Sequence, residues 1–262
     1  MADEPKTPSC DPTPHLRGGD DEDYLVTALT HLKRSLGRVS DASWKAHSSS
    51  QEACLREWAE GLGLLLDAEA LSPMLRRGGM EHDVIATDDR YYKSTRHNIF
   101  GLTPGIELAL VSSSEDARRF HLWQASPYQY LERLHLQNTN LVPGLNRLEG
   151  ILAQGDTHLA IVTSQPRFQI LQVTVAEIDA WFAGRGFGRI TDSAYYRAED
   201  NLGVFDAHEK NLVRAAPDSD TLIPFDVIPC HPEGGFLQFI RQTVDAGHSI
   251  KAIRSTSPGL AS

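Results

Sequence analysis

The chain is short of cysteine, of positive charge and of long apolar runs. Three cysteines, Cys10, Cys54 and Cys230, stand far apart among 262 residues. They make no CxxC pair and no disulfide framework, and a reducing compartment suits them. Lys and Arg number 25 against 35 Asp and Glu, for a formal net charge of −10. An acidic surface repels phosphate backbones, so non-specific nucleic-acid binding is not expected. A compact nucleotide held locally by lysine or metal is compatible with that charge. No apolar run approaches the roughly 20 residues of a membrane helix, so no membrane partner is expected. The opening Met-Ala-Asp-Glu-Pro-Lys lacks a basic region followed by an apolar core. No signal peptide is read there, and the cytoplasm is the expected location. The 11 histidines include no HxxxH or HxH pair, which argues against zinc. Ser164 has no GxSxG elbow around it, which argues against a serine hydrolase.

What is present reads as an α+β chain. Residues 1–20 are rich in Pro, Asp, Gly and Ser and are expected to be disordered. Tyr24, Leu25, Ala28, Leu29, Leu32 and Leu36 fall at helical spacing over about 22–36. "SDASWKAHSSSQ" breaks the pattern and reads as a loop, followed by a helix over about 51–67. "HDVIATDDRYYKST" predicts a β-hairpin, with strands near 82–87 and 90–95. "IELALVSS" fits a strand or a short helix. Ser126 and Pro127 open a helix through "YQYLERLHLQNTN". "RLEGILAQGDTHLAIVTSQP" predicts two strands, and Thr174 with Glu177 a capping box for the helix in "VAEIDAWFAGRGF". "TLIPFDVIP" reads as a short strand and "EGGFLQFIRQTVDAG" as a last helix. Such a run of elements implies α+β with an antiparallel sheet.

"GVFDAHEKNLV" is the stretch richest in chemistry. It sets Asp206 five residues before Asn211 between apolar flanks. Such a pair can simply cap a turn, since Asp and Asn bond their own backbone. It can also serve phosphoryl transfer, which needs a carboxylate at the attacking hydroxyl, oxygen ligands for magnesium and a lysine for the phosphates. The chain supplies those groups in order: Lys93 in "RYYKST", Asp206, Asn211, then Asp226 inside the apolar "IPFDVIP". A carboxylate in so apolar a run needs a partner if buried. Lys93 read alone is an ordinary solvated strand residue.

The ordered set "GGMEHDV", "YYKST", "YLERLHLQN", "TSQP", "DAHEKN" and "PFDVI" resembles the kinase-like family found in polyvalent proteins of phages and mobile elements. The D-x-x-x-x-N spacing is similar to the protein-kinase catalytic loop. The resemblance covers roughly residues 52–240. It implies a minimal two-lobe fold, with an antiparallel-sheet N-lobe over 51–166 and a small helical C-lobe over 167–250. Residues 21–50 would precede it as a helix and loop, and 251–262 would follow as a flexible tail. ATP and Mg2+ are the implied cofactors, and the acceptor is a protein or a small molecule. Asp206 would be the catalytic carboxylate, with Asn211 and Asp226 as metal ligands. Lys93 would meet the α- and β-phosphates and pair with Glu132; Glu107 and Glu115 are alternatives for that pair. Gly78 and Gly79 would form the phosphate-covering turn, and Val84 would pack on adenine. Backbone groups of Thr163, Ser164 and Gln165 would form the interlobe hinge. The sequence departs from the family pattern at Val204-Phe205, before the catalytic Asp, and at Ile228, where a Gly is usual. A nucleotide-binding pseudokinase and a purely structural module are the competing expectations.

Overall fold

The structure is a computed structural model that describes residues 23–36, 44–71, 73–96, 99–108, 118–154, 158–217 and 219–245. Cys10, Glu115 and the two expected tails lie outside the described residues. Helices α1 (Tyr24–Leu36) and α2 (Trp44–Leu62) come first, then strand β1 (Leu65–Leu66) and the short helix α3 (Ala68–Leu71). The expected loop at "SWKAHSSSQ" is thus part of α2 from Trp44 onward. Its serines sit on a helix whose side chains still pack, with Ser48 Oγ 3.2 Å from Glu52 Oε1 one turn on. Helix α2 stops early because Gly63 takes a left-handed φ of 66°. Leu65 and Leu66 then pair as a strand instead of continuing the helix.

Strands β2 (Arg76–Arg77), β3 (His82–Ala86) and β4 (Arg90–Thr95) form an antiparallel meander. The hairpin β5 (Leu102–Leu108) and β6 (Arg118–Gln124) leads to helix α4 (Pro127–Asn140). Strands β7 (Arg147–Gln154) and β8 (His158–Pro166) complete a six-stranded sheet in the order β1-β7-β8-β4-β3-β2. Only the β1–β7 pair is parallel. Alternation along β8 sorts its side chains between two cores. Leu159 and Ile161 join Leu25, Leu32, Leu55 and Tyr130 under α1, α2 and α4. Ala160 and Val162 face the other way, against Leu71, Met74 and Ile85.

The second half holds helix α5 (Val175–Ala183), strands β9 (Gly188–Thr191), β10 (Ala194–Arg197), β11 (Leu202–Phe205), β12 (Leu212–Arg214), β13 (Leu222–Pro224) and β14 (Ile228–Cys230), and helix α6 (Gly234–Asp245). This corrects the expected helical lobe: six short strands outnumber two helices there. The apolar stretches are only three or four residues long, broken by Gly and Asn-Asp turns, so they pair as strands. Phe182 stacks on Tyr195 at 4.1 Å between ring centroids and anchors this core with Trp181, Val204 and Leu212. No helix of the described residues is long and apolar enough to cross a membrane.

Both predicted caps form. Ser126 Oγ accepts from Gln129 N and Ser126 N donates to Gln129 Oε1, closing a capping box on α4. Thr174 and Glu177 do the same on α5.

Candidate functional site

Lys93 sits in the middle of β4, opposite Val84 on β3 and Thr163 on β8. Its Nζ reaches across to Asp226 Oδ1 at 3.2 Å, a contact between residues 133 apart in the chain. Asp226 lies in the short break between β13 and β14. Two apolar strands deliver this carboxylate, as the flanks of "IPFDVIP" require. Lys93 Nζ also lies 5.8 Å from the Phe225 ring centroid.

Helix α4 grips the same segment. Arg133 Nε donates to Val227 O at 3.1 Å, and Gln137, one turn on, donates through Nε2 to Pro224 O. Arg133 Nη1 lies 2.7 Å from Glu81 Oε2 and Nη2 lies 3.5 Å from Asp226 Oδ1. The Arg133 side chain is only 5% exposed. Beneath it, His82 Nε2 and Tyr130 OH stand 3.0 Å apart. Burial, reinforced by the charge of Lys93, brings the His82 pKa down to about 3, so the ring is neutral. Burial alone would raise the Asp226 pKa; Lys93 and Arg133 outweigh it and hold the carboxyl at about 2.

The loop between β11 and β12 carries the other pair. Asn211 Nδ2 donates to both the backbone oxygen and Oδ2 of Asp206, each at 2.8 Å. His208 Nδ1 accepts from Lys210 N at 3.2 Å, so Nε2 carries the proton toward Asp206 Oδ1 at 3.3 Å. That hydrogen bond raises the His208 pKa against the effect of burial. Asp206 has a φ of +56°, a left-handed conformation that Asp tolerates better than most residues. Asn211 O accepts from Phe225 N at 3.0 Å and Asp226 N at 3.4 Å. The backbone therefore ties the Asp206–Asn211 loop directly to the Asp226 segment. Two pairs of the expected residues, Lys93 with Asp226 and Asp206 with Asn211, are thus joined through the backbone at Asn211.

Two expectations need correction. Glu132 does not pair with Lys93: its Oε1 accepts from Tyr128 OH at 2.6 Å, on another side of α4. One residue turns a helix by about 100°, and that turn brings Arg133 to the Asp226 segment instead. Thr163 and Ser164 are not a free hinge, because β8 is paired on both sides at these residues, to β4 and to β7. The chain leaves the sheet only after Pro166. Gln165 pairs with Tyr91, and its buried Oε1 has no partner. The Ser164 hydroxyl bonds Arg90 and Glu149 on the opposite face of the sheet.

Gly78 and Gly79 do form the turn between β2 and β3. A Cβ on Gly78 would lie 2.2 Å from Val84 Cγ2, and Gly79 has a φ of +126°, so neither position accepts a side chain readily. Gly79 O accepts from Arg96.

Arg133, Glu81, His82 and Tyr130 were not singled out as site residues with these contacts. A signal for Arg133 exists: Tyr130, Arg133, Leu134 and Gln137 share one face of α4, so a charged residue falls on a buried stripe.

Among the described residues, no group of three or more His, Cys, Asp or Glu side chains is gathered for a metal ion. Magnesium does not require such a cluster, since it keeps waters and takes substrate oxygens. Asn211 commits its nitrogen to Asp206, which leaves Oδ1 as the ligand atom. Asp226 commits Oδ1 to two cations, which leaves Oδ2. These donors are of the right chemical type. Comparison with protein-family models, with curated proteins and with solved structures found no match.

Proposed function

We propose that the chain is an ATP- and magnesium-dependent phosphotransferase of minimal protein-kinase-like fold. The observation that carries this reading is the 3.2 Å contact of Lys93 with Asp226, beside a loop that presents Asp206 and Asn211. Phosphoryl transfer needs positioning and charge stabilisation more than covalent chemistry from the protein. Lys93 offsets phosphate charge. Asp206, its two oxygens fixed by Asn211 and His208, orients the acceptor hydroxyl and takes up its proton. Asn211 Oδ1 and Asp226 Oδ2 are the atoms that would hold magnesium, which supplies neutralisation of the phosphate oxygens when bound. The lysine on the third strand of an antiparallel meander also agrees with the protein-kinase arrangement.

A nucleotide-binding pseudokinase is the second reading. The observation favouring it is Arg133, a buried cation where α4 would be expected to offer an acid. A purely structural module is disfavoured, since it gives no reason for Lys93 and Asp226 to meet.

Thermal unfolding with ATP, with magnesium and with both separates these readings. Magnesium with ATP should raise the Tm of the wild type more than either alone, and Asp226→Ala should lose that gain. Asp206→Asn, which keeps the left-handed backbone, should still bind but stop γ-phosphate transfer. Binding without transfer in the wild type selects the pseudokinase. Absence of any nucleotide response rejects both.

A further inference from the structure

A cavity with a volume of about 590 Å³ lies beside the start of α4. It is walled by the start of α4, the β5 strand, β14 and the start of α6. Leu102, Pro104, Ile228 and Phe236 give it apolar sides, and Tyr128, Glu132 and Glu233 give it a polar end. None of Lys93, Asp206, Asn211 or Asp226 lines it. Only Arg133 borders both places, and its guanidinium is committed to Glu81 and Asp226. A cavity of this size, with apolar walls beside a group of polar side chains, is of the kind that binds small molecules.

Its charge selects the ligand. Among the described residues, Glu132 accepts a hydrogen bond from Tyr128 OH at 2.6 Å, and neither Glu132 nor Glu233 forms an ion pair. Burial, the bond to Glu132 and the charges of Glu132 and Glu233 all raise the Tyr128 pKa, so both carboxylates act at this one hydroxyl. Burial and Glu132 likewise push up the Cys230 thiol. Lys33 of α1 lies over the Tyr128 ring, its Nζ 5.9 Å from the centroid, and Arg133, which also lines the cavity, is engaged by Glu81 and Asp226. With Arg133 committed to Glu81 and Asp226, the two carboxylates and the aromatic ring suit a cation better than an anion.

We propose that this cavity is a binding site for the protonated amine of a small amphipathic molecule, with Glu132 and Glu233 receiving the ammonium and the apolar wall receiving the hydrocarbon. The site is separate from the nucleotide reading and does not depend on it. The probe is phenethylamine, with 2-phenylethanol as a neutral control of similar shape, titrated by NMR at physiological salt without nucleotide. The amine should bind and the alcohol should not. Glu132→Gln and Glu233→Gln should each weaken the amine at least about tenfold, while Asp192→Asn, a distant exposed acid, should leave it unchanged. Equal binding of amine and alcohol, no binding of the amine, or unchanged affinity in both Gln variants would overturn the proposal. Glu233 is exposed, so its variant keeps the test valid if Glu132→Gln fails to fold.

Discussion

Arg133 is the residue in the cleft whose loss should cost most. It is buried against two carboxylates and a backbone carbonyl. Removing one partner of a buried ion pair leaves uncompensated charge and costs about 3–5 kcal/mol. Arg133→Met keeps the length and deletes the charge, so urea unfolding should show a loss of that order. Adding Glu81→Gln to Arg133→Met should recover part of it, because one of the stranded charges is gone. A loss below about 1 kcal/mol would show that the pair contributes little.

His82 gives a pH prediction. Its folded pKa is about 3, against 6.5 for the free side chain. Between those values the unfolded chain holds a proton that the folded chain does not, so stability falls as pH drops from 6.5 toward 3. The slope from this one group is at most about 1.4 kcal/mol per pH unit. Below 3.8 Asp226 adds to the fall, since its folded pKa of about 2 is also depressed. Chemical denaturation from pH 7 to 4 should show a shallower slope in His82→Gln than in the wild type. Identical slopes would refute the assignment.

At the scale of elements, β1 is held by a glycine. Gly150 on β7 has a φ of +155°, and a Cβ there would lie 2.5 Å from Leu64 O. Ile151 N donates to that same oxygen at 2.9 Å. Gly150→Ala should therefore push β1 off the sheet and cost about 1–3 kcal/mol, the usual range for overpacking. Loss of amide protection at Ile151, with protection kept at the middle of β8, would locate the damage. Unchanged protection at Ile151 would contradict it.

Much of the element order was legible in the chain. The hairpin at β3–β4, the pair β7–β8, the Ser126 N-cap and the Thr174–Glu177 capping box depend on local rules of alternation and end chemistry, and they formed as expected. In the second half a strand was legible at "TLIPFDVIP", where two form, β13 and β14; the extents of β9 to β12 were not, because three or four residues carry too little period to tell a strand from a loop. Of the site, Lys93, Asp206, Asn211 and Asp226 could be named from residue type and order. Glu132 was misplaced by a single residue, since type alone does not give the rotation of a helix. The hinge was misplaced because β8 runs on through Gln165 before Pro166 ends it.

For the whole molecule, α4 is the shared member. Tyr130, Leu131 and Leu134 belong to the core beneath the large sheet, while Leu136 belongs to the core of the second half. Arg133 and Gln137 hold the segment around Asp226 from the same helix. The two halves should therefore unfold together. Trp58 reports the first core and Trp181 the second. Urea transitions followed by fluorescence in Trp58→Phe and in Trp181→Phe should coincide in shape, each displaced only by its own stability change. Two separated transitions within one variant would show that the halves are independent.

The contact between Lys93 and Asp226 has a consequence for anything that enters the cleft. In this arrangement the carboxylate is the resting counter-ion of the lysine. An incoming anion does not find an empty positive charge; it takes part in an exchange, displacing one counter-ion by another. A carboxylate released by Lys93 would stay neutralised by Arg133, whose Nη2 lies 3.5 Å from the same Oδ1. Binding of an anion at Lys93 would thus be an exchange of counter-ions, with Arg133 keeping its hold on Asp226.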